Sequence, residues 1–250
     1  MTTIAEQYCI PDIPEENKTN IFSGKYIRHL GEICKPVIDA SHHINDNETP
    51  VFGNTIDGVV MFIDIGSFTE RSGQLTPGQT AYWVNRFLKQ VWPICEKGCA
   101  TLDKIIGDCL MLVLSKEFGC TNPVQNAYQI AIDILRNDTF GYYPHIGIAD
   151  GEFWLGYTGP PQIMSISIFG DAVNFASRLA SVAESNSFAV SKRLSDSIID
   201  KSEIINDFEI LKGNNPIKDF NNSQYKIVKR KAKWYPQGHL NSFKAIHDSR

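Results

Sequence analysis

One stretch constrains this chain more than any other. Gly58-Val-Val-Met-Phe-Ile-Asp64-Ile is apolar enough to be a strand covered on both faces, yet it carries a carboxylate near its end. A bare carboxylate in such a strand is expensive to desolvate, so the fold must supply Asp64 with compensation. Downstream, Thr76 and Pro77 open a helix that runs to Ile94, the threonine as cap and the proline as first-turn residue. Ala100 to Ile106 and Cys109 to Ser115 are β-type runs separated by Gly107-Asp108, which predicts a hairpin with Asp108 at its tip. Helical spacing returns over Asn122 to Arg136, His145 to Gly156 reads as a second hairpin around Asp150-Gly151, and another helix runs from about Gly170 to Glu184. The order strand, helix, strand, strand, helix, strand is the split βαβ pattern. It predicts an α+β, ferredoxin-like core with an antiparallel sheet and helices on one face. A short helix near Lys192 to Ile199 and strands near Phe208 to Leu211 and Gln224 to Val228 extend it.

Residues 1–55 lack strand alternation and read as a partly helical N-terminal extension. Its helix, around Lys25 to Ala40, is bent or shortened by Pro36. Residues 56–230 form the domain and 231–250 a C-terminal tail. With 24 Lys+Arg against 28 Asp+Glu, and no basic run longer than Lys229, Arg230, Lys231, no footprint for nucleic acid is expected. No apolar run approaches the ~18 to 20 residues of a spanning helix, so no membrane partner and a cytoplasmic location are expected. The six cysteines form no Cys-x-x-Cys pair and read as reduced.

The chemistry gathers at two carboxylates. The split βαβ order places the hairpin tip bearing Asp108 beside the strand bearing Asp64, and two hard oxygen ligands at one sheet edge suit Mg²⁺ or Mn²⁺. A strand-end cap and an ordinary Gly-Asp turn are the plain alternatives. The turn Asp64-Ile-Gly-Ser-Phe68-Thr69 exposes backbone amides that could cradle phosphate. Asn174 and Arg178 lie four apart on one helix face, an amide and a guanidinium suited to a ribose and a polyphosphate, or simply a solvated face. His145, Tyr82, Trp83 and Phe87 read as structural or packing residues.

Together these blocks resemble the catalytic domain of the class III nucleotide cyclases, from about Val59 to Val228. Phe62-Ile-Asp64-Ile-Gly-Ser-Phe68-Thr69 and Lys104-Ile-Ile-Gly107-Asp108 are similar to its two metal motifs, and Gly170-Asp-Ala-Val-Asn174-Phe-Ala-Ser-Arg178-Leu179 to its transition-state helix. The resemblance implies a metal site of Asp64, Ile65 and Asp108 holding two Mg²⁺ or Mn²⁺ ions, with Phe68 and Thr69 beside the substrate. It also implies that Asn174 orients the ribose and Arg178 neutralises the α-phosphate from the opposite subunit of a homodimer. A lysine for the terminal phosphates falls at Lys218, with Lys212 as competitor. Gln162, Ile163 and Met164 stand where many members carry a phosphate-binding arginine, and Gly159-Pro160-Pro161 departs from the usual loop.

In the same family two side chains read the base, here Lys104 and Ser167. Lysine argues against GTP, because guanylyl cyclases use glutamate there, and makes ATP the leading substrate. Uracil and cytosine carbonyls would also accept from Lys104, so a pyrimidine cyclase making cyclic UMP or cyclic CMP in anti-phage defence is the alternative. A catalytically inactive nucleotide-binding module is the alternative from another class. A downstream effector that reads the cyclic product is expected.

Overall fold

Alternation along one long strand sets the architecture. The computed structural model describes residues 35–36, 52–159, 165–198, 207–213, 216–220 and 224–231. Strand β1 (Lys35–Pro36) pairs with the start of β2 (Phe52–Asp64), along which Val59, Met61 and Ile63 turn to one face and Val60 and Phe62 to the other, all buried. After β2 come α1 (Phe68–Ser72), α2 (Pro77–Lys97), the hairpin β3 (Thr101–Ile106) and β4 (Cys109–Leu114), and α3 (Pro123–Asn137). Then follow β5 (His145–Thr158), β6 (Ser165–Phe169), α4 (Asp171–Val182), β7 (Ser187–Ser191), α5 (Lys192–Ile198), β8 (Phe208–Lys212) and β9 (Tyr225–Arg230). Thr76 caps α2 through a reciprocal capping box with Gln79, with Pro77 in the first turn, as the sequence predicts.

The sheet runs β3-β4-β2-β5-β7-β9-β8, with β1 on β2 and β6 on β5. Its first four strands have the split βαβ order, and every pairing but the parallel β5–β7 is antiparallel. Helices α2 and α3 cover one face, burying Trp83, Phe87, Val91 and Cys95 at intervals of one helical turn against Met61 and Ile63. Helix α4 lies over the Val60 and Phe62 face with Ala172, Ala176, Leu179 and Ala180. Among the described residues no helix is long and apolar enough to cross a membrane.

Two expectations change. His145 to Gly156 is not a hairpin: Asp150 and Gly151 pair in register with Val59 and Gly58, and Gly151, at φ 150°, lets one continuous strand bend without reversing. The true hairpin partner of β5 is β6. Lys35–Pro36 is a strand pair rather than part of a helix, with Pro36 in the short outlying strand β1, where a missing N–H costs little. The rest of the Lys25 to Ala40 helix, and the loop Pro160 to Met164, lie outside the described residues.

Helix α4 rests on β5 at a glycine. A Cβ on Gly147 would stand 2.1 Å from the Ala176 carbonyl oxygen and 2.2 Å from the Ala180 nitrogen, both backbone atoms of α4. Gly147→Ala is therefore expected to cost about 3 kcal/mol, the upper range for overpacking, read as a lowered urea midpoint. An unchanged midpoint would show that α4 shifts freely on the sheet.

Candidate active site

Strand β2 ends at Asp64, and the β3–β4 turn brings Asp108 against it from the neighbouring strand. The Ile65 amide bridges them, donating to Asp64 Oδ1 at 3.1 Å and to Asp108 Oδ2 at 3.3 Å. The two carboxyl groups are within hydrogen-bonding reach of each other once one is protonated. Burial first, then that hydrogen bond and the charge of Asp64, push the Asp108 pKa up to about 7. The adjoining Cys109 thiol is pushed up to about 12, by burial and then by the same two carboxylates. Among the described residues no Lys or Arg forms an ion pair with either acid, and no third His, Cys, Asp or Glu completes a cluster with them. A buried Asp108 held against a half-buried Asp64, with no cationic side chain paired to either among the described residues, is what a hard divalent cation would relieve. The Ile65 backbone lies between them, and substrate oxygens and water would fill the remaining positions. The donor set fits Mg²⁺ or Mn²⁺. His145, opposite Asp64 across the β2–β5 pairing, contacts Ser185 at 3.3 Å, and burial holds its pKa below the usual value, in keeping with a structural role.

The turn after Asp64 is more committed than the sequence suggests. The amides of Ile65 and Gly66 are both used internally, the second by the Tyr142 carbonyl at 3.0 Å, so neither belongs to a phosphate cradle. Ser67, in the left-handed region at φ 52°, breaks the strand into α1. Phe68 stacks on Trp83 with centroids 5.8 Å apart, while Thr69 is exposed. Both line a groove of about 660 Å³ that also touches Leu75, Val84 and Gly107, the residue before Asp108.

Asn174 and Arg178 do share one face of α4, Asn174 exposed and Arg178 partly so. Among the described residues no hydrogen bond or ion pair joins either to Asp64 or Asp108. Arg178 instead meets Asp219 at 3.4 Å, and Phe220 packs on Phe175 at 4.8 Å, so the turn bearing Lys218 is docked on α4. Lys212 lies on the outer strand β8, opposite Lys226.

Lys104 and Ser167 come from separate strands, β3 and β6. The β3–β4 register shifts between Leu102 and Lys104, and this bulge lets the consecutive Asp103 and Lys104 pair at 3.0 Å although strict alternation would send them to opposite faces. The Asp103 side chain is 1% exposed. Sequence reasoning passed over it, and its signal is an acid inside an apolar β-run. Ser167 Oγ accepts from the Thr158 hydroxyl at 3.2 Å. Ile105, Ile106 and Phe169, flanking these two residues, are among the most exposed large apolar side chains described.

Residues 54–220 match the family model of the adenylate and guanylate cyclase catalytic domain. Among curated proteins, two adenylate cyclases of Dictyostelium discoideum are similar: the terminal-differentiation-specific enzyme at 24% identity over 210 residues and the germination-specific enzyme at 23% over 191. Each alignment covers 72% of this chain but only 9% and 22% of those proteins. Among solved structures, the adenylyl cyclase CyaB from P. aeruginosa superposes with a TM-score of 0.60 at 22% identity, covering 72% of this chain and 97% of that one. The guanylate cyclase domain of RhGC from Catenaria anguillulae, in complex with GTP, gives 0.58 at 21% identity, covering 72% of this chain and all of that one. With two thirds of its length matched to a single domain model and the sheet order to go with it, the chain belongs to the adenylate and guanylate cyclase catalytic domain family, a family of nucleotide cyclases.

Proposed function

We propose that this chain converts a nucleoside triphosphate, with ATP as leading substrate, to the 3′,5′-cyclic monophosphate and pyrophosphate at a homodimer interface. The observation that carries the reading is the Asp64–Asp108 pair, two acids held together with no Lys or Arg paired to either among the described residues. Divalent cations bound there would acidify the ribose 3′-hydroxyl and neutralise the triphosphate. In the reaction the 3′-oxygen forms a bond to the α-phosphorus, the bond to the bridging α–β oxygen breaks, pyrophosphate leaves and the hydroxyl proton passes to water. Arg178 would neutralise charge building on the α-phosphate, Asn174 would fix the ribose and Lys218 would hold the terminal phosphates. The exposed Ile105, Ile106 and Phe169 support a second copy covering the base-reading edge.

On the base, Lys104 would donate to a ring nitrogen of adenine and Ser167 would accept from the exocyclic amine. One observation favours a second reading. The Ser167 hydroxyl, 3.2 Å from the Thr158 hydroxyl, can donate as well as accept, and donation suits a pyrimidine carbonyl and hence UTP. Incubation with ATP, GTP, CTP and UTP in Mg²⁺ and Mn²⁺, with products identified by mass spectrometry, decides between them. Cyclic AMP supports the leading reading and cyclic UMP or CMP the second. No product from any triphosphate would leave a nucleotide-binding module. Lys104→Glu is expected to lower kcat/KM for the preferred substrate by about 100-fold, and an unchanged value would remove Lys104 from base reading.

A further inference from the structure

We propose that Arg71 is a positioning residue for the metal loop, an inference that rests on the cyclase reading. Helix α1 is five residues long and none of them is fully buried, with Phe68 stacked on Trp83 as its apolar contact with the core. Yet its start fixes where Ile65 and Gly66 sit relative to Asp64 and Asp108. The Arg71 guanidinium reaches back from α1 and donates to three backbone carbonyls: Nη1 to Gly66 at 3.3 Å and to Tyr142 at 3.1 Å, Nη2 to Gly141 at 2.8 Å. It lies over the Trp83 ring of α2, its central carbon 4.6 Å from the centroid, with the Tyr143 ring at 5.7 Å. One side chain therefore ties the metal loop, the loop before β5 and the first long helix together.

The loop that receives it is prepared from the other side. Asp138, buried, accepts the amides of Tyr142 at 3.0 Å and Tyr143 at 2.8 Å. Those two amides satisfied, the Gly141 and Tyr142 carbonyls meet Arg71. The Tyr142 carbonyl also takes the Gly66 amide, and a Cβ on Gly66 would stand 2.3 Å from the Tyr143 oxygen, so the two loops are in direct backbone contact. Tyr143 holds φ 52°, a left-handed conformation that a non-glycine residue keeps only where its surroundings over-determine it, while Gly141, at φ 68°, takes the same region freely. A planar fork with several donors suits this three-carbonyl grip, and a lysine ammonium does not reproduce it. Asp138 holds the loop backbone by hydrogen bonds and its charge also favours the buried guanidinium, but among the described residues no ion pair joins the two, so the grip on the loops is made through the carbonyls.

The test uses the full chain with Arg71→Met, which keeps a stem over Trp83 but removes the donors, and Arg71→Lys. Hydrogen–deuterium exchange at Ile65 and Gly66 and binding of Mn²⁺ alone, followed by the electron paramagnetic resonance of the free ion, are measured alongside kcat and KM. Arg71→Met is expected to speed exchange at Ile65 and Gly66 and to weaken Mn²⁺ binding, each by about tenfold, with Arg71→Lys between it and the wild type. A merely structural arginine would change the folded fraction but not the Mn²⁺ affinity of the folded protein. Wild-type exchange and wild-type Mn²⁺ affinity in Arg71→Met would overturn the proposal. If Arg71→Met does not fold, Arg71→Lys is read by the same criteria. A wild-type protein that neither binds Mn²⁺ nor makes product refutes the cyclase reading instead, and exchange at Gly66 then still decides whether Arg71 holds the loop.

Discussion

Asp108→Asn is expected to abolish cyclic product, by about 1,000-fold or more, since a metal-ion site supplies several kcal/mol to such a transition state. The same substitution is expected to stabilise the metal-free protein above neutral pH. Asp108 has its pKa raised from 3.8 to about 7 by burial and by Asp64. The folded state therefore binds more protons than the unfolded chain between those values, and the stability this contributes is full below about pH 4 and lost as pH rises through 7. Asparagine carries no charge to desolvate, so the loss disappears. Melting curves in EDTA from pH 5 to 8 should show the wild type falling relative to the variant, by several degrees at pH 8. Opposite signs for activity and stability are the mark of a site built for a cation. Unchanged product formation would sink the metal assignment, and parallel melting curves would show that the two acids do not strain one another.

Much of this was legible because local and global signals agree. The Thr76–Pro77 start, the Gly107-Asp108 turn and the apolar spacing of α3 each report a structure their own neighbours enforce, and with the strand order they place Asp108 beside Asp64 before any coordinates. Where the reading failed, a local signal was outvoted by pairing. Asp150-Gly151 is sound turn chemistry, but the length of β2 offers a partner on both sides of it and the strand runs through. The Arg71 bracket could not be seen at all, since its carbonyl partners on the far loop lie 70 and 71 residues away and accept through backbone atoms, which leave no trace in side-chain identity. Asp103 drew no reading from the sequence, and only the bulge makes it a pair with Lys104. Residue identity reports donors and charges well; it reports poorly on which carbonyls a fold will turn toward them.

The separation of Asn174 and Arg178 from the two acids gives the remaining prediction its force. Arg178 turns to Asp219 of its own chain, and that ion pair, half-exposed on both sides, is weak enough to open for a phosphate. If Arg178 serves the site of a second copy, then Asp108→Asn and Arg178→Ala damage different halves of one site. Each alone should be inactive, falling by about 100-fold or more for the arginine. Co-expressed in equal amounts, they should form heterodimers as half of all dimers. Each heterodimer holds one site with both its acids and its arginine intact and one lacking both, so recovery to about a quarter of wild-type activity is expected. The assay is product formed by differently tagged variants after tandem purification, which isolates the heterodimer and should raise the recovery to about half. A purified heterodimer that stays inactive would mean that acids and arginine must come from the same chain, and Arg178 would then have to leave Asp219 and reach its own metal loop.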